Sequence, residues 1–286
     1  MKVSILIPTY NRPVATLAAV DSALNQSYSN IEVIVSDNSF NDLTYNILYE
    51  YISKCRIIYL RNSTNIGPVF NWINCFNHSS GDLIKILFSD DLIDKDYLSI
   101  TVPYFEKFPN ATFISTSVIR RDKFSDTVLY HKEYSEILKY EDYLNELIFF
   151  KNVSYSPGNS IFRRQSFQII SSYDIELKDS ILETGAGADV LIYLNAFSDY
   201  SKDIAIKIPF FLSIFNGHEE SISLAKWETV AYCYNRVLLD QVSNSDLRLR
   251  QKNYLKAKIL NIPLWKYMVI YFFKHIRGFY YLVVKR

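Results

Sequence analysis

Four times between Val3 and Asp91 a short apolar run stops on polar residues, and after each of the first three a helix-like stretch precedes the next run. Residues 3–7 are β-branched and apolar, and Pro8-Thr9-Tyr10-Asn11-Arg12-Pro13 closes them with two prolines that prevent a strand from continuing. Pro13 suits a helical first turn, after which Leu17, Val20, Ala23 and Leu24 recur on one face. Residues 31–35 form the second run, ending on Ser36-Asp37-Asn38-Ser39, whose turn and capping residues introduce a helix through about Ile52. Residues 56–60 form the third and end in a polar loop at 62–65. Gly67-Pro68 then opens a helix with Val69, Trp72, Ile73 and Phe76 on its apolar face. The fourth, Ile84-Lys85-Ile86-Leu87-Phe88, runs straight into Ser89-Asp90-Asp91. This alternation predicts a parallel, doubly wound α/β sheet. In such a sheet the strand ends share one edge, so four polar segments converge on one crevice, where open α/β sheets bind ligands.

The middle of the chain is less regular. Residues 94–108 read as a helix, 111–119 as a strand and 140–150 as a short helix. Residues 154–162, with Pro157-Gly158-Asn159 at their centre, read as a loop entering a strand, and the chain from Arg163 onward reads as helix. Gly185-Ala186-Gly187-Ala188-Asp189 leads into an apolar helix carrying Val190, Leu191, Leu194 and Phe197. Residues 204–215 form a strand-rich run ending in Asn216-Gly217-His218.

Hydrophobic residues make up 49% of the 286, with 7 Gly and 8 Pro, which excludes a disordered or collagenous polymer. Cys55, Cys75 and Cys233 are odd in number and widely spaced, so they predict buried thiols in a reducing compartment rather than a disulfide framework or a zinc site. The opening apolar run is too short for a signal peptide, and Pro8 and Asn11 interrupt it, so the chain is expected in the cytoplasm.

The net charge of +1 hides an asymmetry: residues 248–286 hold ten Lys and Arg and no Asp or Glu. The preceding residues therefore carry about −9 and this stretch about +10. After Pro263 come eight aromatics interleaved with Lys266, Lys274, His275 and Arg277, which break up any membrane span. A basic, aromatic helix of this kind is expected to lie in the headgroup region of an anionic leaflet; packing of the aromatic stripe on protein is the alternative. The organisation expected is one domain over residues 1–242, with halves of about 1–110 and 111–242, followed by a basic amphipathic helical tail over 243–286.

Adjacent like charges at a strand end repel each other, so Asp90-Asp91 suits a place where a cation or ligand hydroxyls offset the repulsion. Two solvated surface acids are the bland alternative, which the convergence of four segments disfavours. Other residues keep two readings open. Asp37 is a crevice acid or only a helix N-cap, Asp189 a reactive acid or only a helix-start charge, and His218 a ligand or a loop histidine. Lys85, on the strand face shared with Leu87 and Ser89, either approaches a ligand or is solvated. An acidic crevice with adjacent aspartates and an available histidine suits a divalent cation bound to phosphate oxygens. Neither G-x-x-x-x-G-K-[ST] nor G-x-G-x-x-G is present, so kinase-type and dinucleotide readings lose their motifs.

On these residues the chain, from Val3 to about Ser223, resembles the family-2 inverting glycosyltransferases of the GT-A fold, of the bacterial polysaccharide and O-antigen type. The segment 3–12, with Pro8, Thr9, Tyr10 and Arg12, looks like the family's opening strand and loop, which holds the nucleotide base. Asp37 matches the Asp that ends the second strand and binds base or ribose. Asn65-Ile66-Gly67 matches the Asn-x-Gly beside the nucleotide, with Asn71 one helical turn on. Ser89-Asp90-Asp91 occupies the place of the Asp-x-Asp motif, which implies Asp90 near the ribose and Asp91 on the metal. With serine in first place, the division between the two acids stays open. Residues 157–164, including Gly158 and Asn159, look like the segment shaping the sugar and acceptor pocket. Asp189 falls where the family places its catalytic base, and His218 resembles the late His-x-x-Ser-x-Ser histidine that completes the metal site.

The resemblance implies a metal-dependent transferase, using Mg²⁺ or Mn²⁺, that moves a sugar from a nucleotide diphosphate sugar, a UDP-sugar foremost, to a glycan hydroxyl. With the basic tail it further implies a lipid-linked acceptor in O-antigen or capsule assembly, a soluble glycan being the other acceptor. The place expected is the cytoplasmic face of the inner membrane, held peripherally, with no nucleic-acid partner. A sugar nucleotidyltransferase and a non-catalytic carbohydrate-binding protein are the alternatives; the first lacks its Gly-rich phosphate loop between Pro8 and Pro13.

Overall fold

The computed structural model describes residues 1–123, 125–148, 152–169, 185, 187–217 and 237. The expectations for His218, Cys233 and the tail at 243–286 lie outside the described residues. Contacts divide the chain into two compact units, Met1–Tyr234 and Asn235–Arg286.

The first unit opens as the alternation requires: β1 (Val3–Thr9), α1 (Pro13–Leu24), β2 (Ile31–Asp37), α2 (Leu43–Ser53), β3 (Ile58–Arg61), α3 (Pro68–Asn77) and β4 (Leu83–Ile86). β1 pairs in parallel with β2 from Val3↔Ile31 to Thr9↔Asp37 and with β4 on its other side, while β3 extends the ladder beyond β2. Every residue of β1 is buried, so its continuous apolar run is what a central parallel strand needs. Pro13 and Pro68 each sit at a helical first turn, where the missing N–H costs nothing. Gly67, just before α3, has φ +81°, a conformation that a side chain disfavours.

Beyond β4 the sheet becomes mixed. β4 ends at Ile86, two residues short of the expected run, and Leu87 N–H still reaches Leu6 O at 2.8 Å before the chain turns at Ser89-Asp90. A two-residue strand, β5 (Leu92–Ile93), pairs antiparallel with the late strand β10 (Ile204–Asn216). This pairing and the bond from Asp94 N–H to Leu212 O at 2.9 Å delay the next helix, so α4 (Tyr97–Lys107) starts three residues after the expected Asp94.

There follow β6 (Ala111–Arg121), β7 (Asp126–Leu129), β8 (Glu136–Lys139), α5 (Tyr140–Ile148), β9 (Ser160–Arg163) and the helix α6 (Ala188–Asn195). Among the described residues the sheet has the order β3-β2-β1-β4-β9-β6-β10-β5, with β7 on β6 and β8 on β10. β9 runs antiparallel between β4 and β6, and β10 is parallel to β6.

Two expectations change here. Arg163 does not start a helix: it ends β9, opposite Leu83, and its guanidinium holds Ala111 O at 2.8 Å and Phe105 O at 2.7 Å. Among the described residues a short 3₁₀ turn, Arg164–Ser166, follows. Cys75 is buried as expected but Cys55 is exposed.

At the end of the sheet away from the crevice, Glu32 accepts from Ser4 Oγ at 2.5 Å, Ser80 N–H at 2.5 Å and Gly81 N–H at 3.1 Å, and pairs with Lys2 Nζ at 2.6 Å. Burial alone would raise this carboxyl, but the bonds from Lys2, Ser4 and Ser80 outweigh it and hold the group down at about 2.

Candidate functional site

The carboxyl ends of β1, β2 and β3 are sewn together by amide side chains. Thr9 O, at the end of β1, accepts from Asn38 N–H at 3.0 Å and from Asn71 Nδ2 at 3.2 Å. Asn62 Nδ2 lies 2.8 Å from Asn38 Oδ1 and 3.1 Å from Asn71 Oδ1, and Asn74 Nδ2 donates to Asn62 Oδ1 at 2.9 Å. Asn38 Nδ2 in turn donates to Gly67 O at 3.2 Å, and Asn65 Oδ1 accepts Gly67 N–H at 3.0 Å. Asn71 is therefore a buried strut between β1, the 62–67 loop and α3. Asn38, Asn62 and Asn74 are its unforeseen partners, each inconspicuous in an Asn-rich chain.

Asp37 is not the N-cap of α2, which begins six residues later, at Leu43. It is fully buried, with Oδ1 accepting Ser39 N–H at 2.8 Å and Oδ2 accepting the Tyr59 hydroxyl at 2.7 Å. Burial and the Asp37 carboxylate both push the Tyr59 phenol well up from its ordinary value. Tyr10, by contrast, is exposed at the crevice lip, while Pro8 and Thr9 are buried in the strand end.

The acid turn after β4 is gripped from three directions. Arg12 Nη1 bridges to Asp90 Oδ2 at 2.5 Å. Asn216, the last residue of β10, donates its backbone N–H to Asp91 Oδ1 at 3.1 Å and its side-chain amide to Asp90 O at 2.6 Å. Beneath, Lys85 is fully buried; its ammonium donates to Gly158 O and lies 4.5 Å from the centre of the Tyr97 ring. Burial pushes Lys85 down to about 7 against the pull of Asp91, so the solvated reading of this lysine is excluded. Asp91 is itself 7% exposed, and burial followed by the charge of Asp90 raises its carboxyl well above the carboxylate range, opposed by Asn216, Lys85 and Arg12. Ser89 is buried beside it.

Gly158 lies where a Cβ would come within 3.1 Å of both the Phe88 and Phe215 rings, so glycine lets the 157–159 turn close against the acid turn. Asn159 is fully buried, donating to Thr116 O at 2.5 Å and Ser154 Oγ at 2.8 Å. Its side chain fastens the 157–159 turn to β6 and has no exposed surface.

Asp189 is half-buried in the first turn of α6. One helical turn on, the Tyr193 hydroxyl donates to Ser156 O at 2.7 Å and meets Ser160 Oγ at 2.7 Å, docking α6 on the 156–160 segment. Burial first, and the charge of Asp189 among lesser causes, raise the phenols of Tyr130, Tyr143, Tyr155 and Tyr193, so the carboxylate stands among tyrosines. Among the described residues no three His, Cys, Asp or Glu gather as a metal cage; Gly217, the last before His218, is fixed by its N–H to Arg121 O at 2.7 Å.

A mixed α/β sheet whose parallel β1–β4 part ends on an acid turn and an asparagine-braced edge defines the class, and comparison identifies the family. Residues 4–170 match Glycosyl transferase family 2, and the chain belongs to it. Among curated relatives, the abequosyltransferase RfbV of Salmonella typhimurium is 36% identical over 110 residues, 37% of this chain and 33% of that protein. The Escherichia coli UDP-Glc:alpha-D-GlcNAc-diphosphoundecaprenol beta-1,3-glucosyltransferase WfaP is 38% identical over 89 residues, 31% of this chain and 35% of the relative. The match thus spans about a third of these relatives' length.

Staphylococcus aureus TarS 1–349 in complex with UDP superposes with a TM-score of 0.63 at 20% identity, over 91% of this chain and 71% of that one. The mannosyltransferase PcManGT from Pyrobaculum calidifontis, in complex with GDP-Man and Mn²⁺, gives 0.61 at 16% identity, over 89% and 69%. At these identities the likeness shows the fold, the helix-flanked α/β sheet of the GT-A class. No helix among the described residues is long and apolar enough to cross a membrane.

Proposed function

We propose that this chain is an inverting glycosyltransferase that moves one sugar from a nucleotide diphosphate sugar, a UDP-sugar foremost, to a glycan hydroxyl. The observation that carries the reading is the acid turn at the carboxyl end of β4, with Asp90 bridged to Arg12 and Asp91 held by Asn216. A buried Asp91 repelled by the half-buried Asp90 at a sheet edge suits a ligand that brings positive charge with it. The relatives support the donor class: TarS is solved with UDP and with UDP-GlcNAc, and PcManGT with GDP-Man.

In this mechanism Asp189 accepts the proton of the acceptor hydroxyl while that oxygen attacks the anomeric carbon from the face opposite the diphosphate, inverting its configuration. Asp189 is half-buried and its charge is among the causes that raise Tyr155 and Tyr193, a setting of reduced hydration that suits a carboxylate base. In this reading Asp91 and Asp90, with His218 as the further ligand, would hold Mg²⁺ or Mn²⁺, which would supply positive charge against the leaving diphosphate. Arg12, already at the acid turn, contributes a second positive charge on that side.

The acceptor in this reading is a lipid-linked oligosaccharide in O-antigen or capsule assembly; the WfaP relative is named for a GlcNAc-diphosphoundecaprenol acceptor, which supports the lipid-linked class. Residues 243–286 hold the enzyme peripherally on the anionic cytoplasmic face of the inner membrane through their basic and aromatic side chains.

Asp189→Asn tests the proton step. Turnover should fall by roughly a hundredfold or more while calorimetry shows UDP affinity within about threefold of the native protein. Near-normal turnover would overturn the assignment of the base.

A further inference from the structure

Resting on the assignment of Asp189 as the base, we propose that Lys85 is a positioning residue that sets the spacing between the acid turn and the helix carrying Asp189. Lys85 lies in β4 between Ile84 and Ile86, opposite Ile161 of β9, and none of these side chains has exposed surface. A leucine or methionine would fill such a place without desolvating a charge, whereas burial pushes the Lys85 ammonium down to about 7. What the cation gains there is a partner in another segment. Its ammonium donates to Gly158 O, and the centre of the Tyr97 ring lies 4.5 Å from the charge.

The Gly158 carbonyl belongs to the 157–159 turn, which joins the acid turn to the helix of the base. A Cβ at Gly158 would come within 3.1 Å of the rings of Phe88, which leads into the acid turn, and of Phe215, which precedes Asn216. From the other partner, the Tyr193 hydroxyl of α6 donates to Ser156 O at 2.7 Å and meets Ser160 Oγ at 2.7 Å, one helical turn from Asp189. Lys85 is therefore the first link of a chain that runs from β4 through residues 156–160 to α6. Asn159 ties the same turn to β6, through Thr116 O at 2.5 Å. Lys85 supplies the tie that Asn159 does not, to the strand that leads into Asp90 and Asp91. A donor at the acid turn and an acceptor hydroxyl at Asp189 react only when closely aligned, and misplacement by about 1 Å can cost roughly a hundredfold in rate.

The test compares the native full chain with Lys85→Met, which fills the same place without charge or donor, and with Gly158→Ala, which crowds the same turn against Phe88 and Phe215. Lys85→Gln, uncharged and one bond shorter, replaces Lys85→Met if that variant does not fold. The readouts are UDP affinity by calorimetry with Mn²⁺, amide hydrogen exchange, and kcat and KM for whichever of UDP-Glc, UDP-Gal, UDP-GlcNAc and UDP-GalNAc the native protein consumes fastest. Each variant should lower kcat at least about tenfold while KM and UDP affinity stay within about threefold. The double variant should lose no more than the worse of the single ones, because both act on one link. Exchange should rise over residues 156–160 and 188–195 and stay unchanged over β1–β3. Normal kcat in the Lys85 variant overturns the spacing role, and so does a loss of UDP affinity as large as the loss of turnover, which would put Lys85 to work on the donor through Asp91. If the native protein binds no UDP and consumes none of those sugars, the function proposed above is what fails. The exchange pattern then decides the link by itself: a rise confined to 156–160 and 188–195 upholds it, and no rise there overturns it.

Discussion

The carboxyl edge of β1–β3 and the region behind β6 and β9 are held by opposite means. At the first, Asn38, Asn62, Asn71 and Asn74 brace three loops through directed hydrogen bonds. At the second, Phe113 is a hub whose ring centroid lies 4.9 Å from Tyr193, 5.3 Å from Tyr143, 5.4 Å from Phe162 and 5.7 Å from Phe197. Amide hydrogen bonds set direction at small net stabilisation, because each replaces a bond to solvent in the unfolded chain. Rings removed from water stabilise by area and packing. The difference separates tasks: the amide edge ties three loops together where the proposed function puts the nucleotide, while the aromatic region anchors α6, the helix carrying Asp189.

The largest effect on that contrast is expected at its hub. Phe113→Ala should destabilise the fold by about 3–5 kcal/mol, seen as a lowered urea midpoint, because it leaves a cavity among four rings. Asn62→Ala should cost less, about 1–3 kcal/mol, but should also weaken UDP binding in calorimetry by loosening the edge. If the asparagine variant proves as unstable as the phenylalanine one while binding UDP normally, the two regions are not distinct in the way described.

A smaller effect lies at the far end of the sheet, where Glu32 is held at about 2 by Lys2, Ser4 and Ser80 against the opposing effect of burial. A carboxyl depressed by folding stabilises above its unfolded value and loses that contribution as pH falls through its folded one. Glu32→Gln should therefore lower the melting temperature slightly at pH 7, with the gap shrinking below about 4.5 and closing near 2. Lys2 is more than a third exposed, so salt should narrow the gap as well. A gap that widened on acidification would mean that Glu32 is not the group held down.

Much of the sheet was legible because its signals are local. Apolar runs, prolines at first turns and polar strand ends sit next to one another in the chain, and β1 to β4 follow them closely. β5, β7 and β8 were not legible: two to four residues carry no period, and they are strands only because a neighbour offers them a ladder. Arg163 was misread for the same reason, its role being to hold the Phe105 and Ala111 carbonyls.

At the site, strand alternation put Lys85 on the right face but did not decide its burial. The sequence left Asp37 as a crevice acid or a helix cap, while its partners are Ser39 and Tyr59. Asn216 offered no signal: its bonds to Asp90 and Asp91 join residues about 125 positions apart.

By itself, then, the sequence determined the parallel α/β framework and the delivery of Thr9, Asp37, the 62–65 loop and the Asp90-Asp91 pair to one edge, since backbone preferences and side-chain periodicity act over a few residues. Only the tertiary structure decided which of those acids stays reachable. It buried Asp37 under Ser39 and Tyr59, set Lys85 and Asn216 against Asp91, and left Tyr10 and Phe40 facing outward. Burial and hydrogen-bond partnership belong to neighbours in space, and these neighbours come from segments distant in the chain.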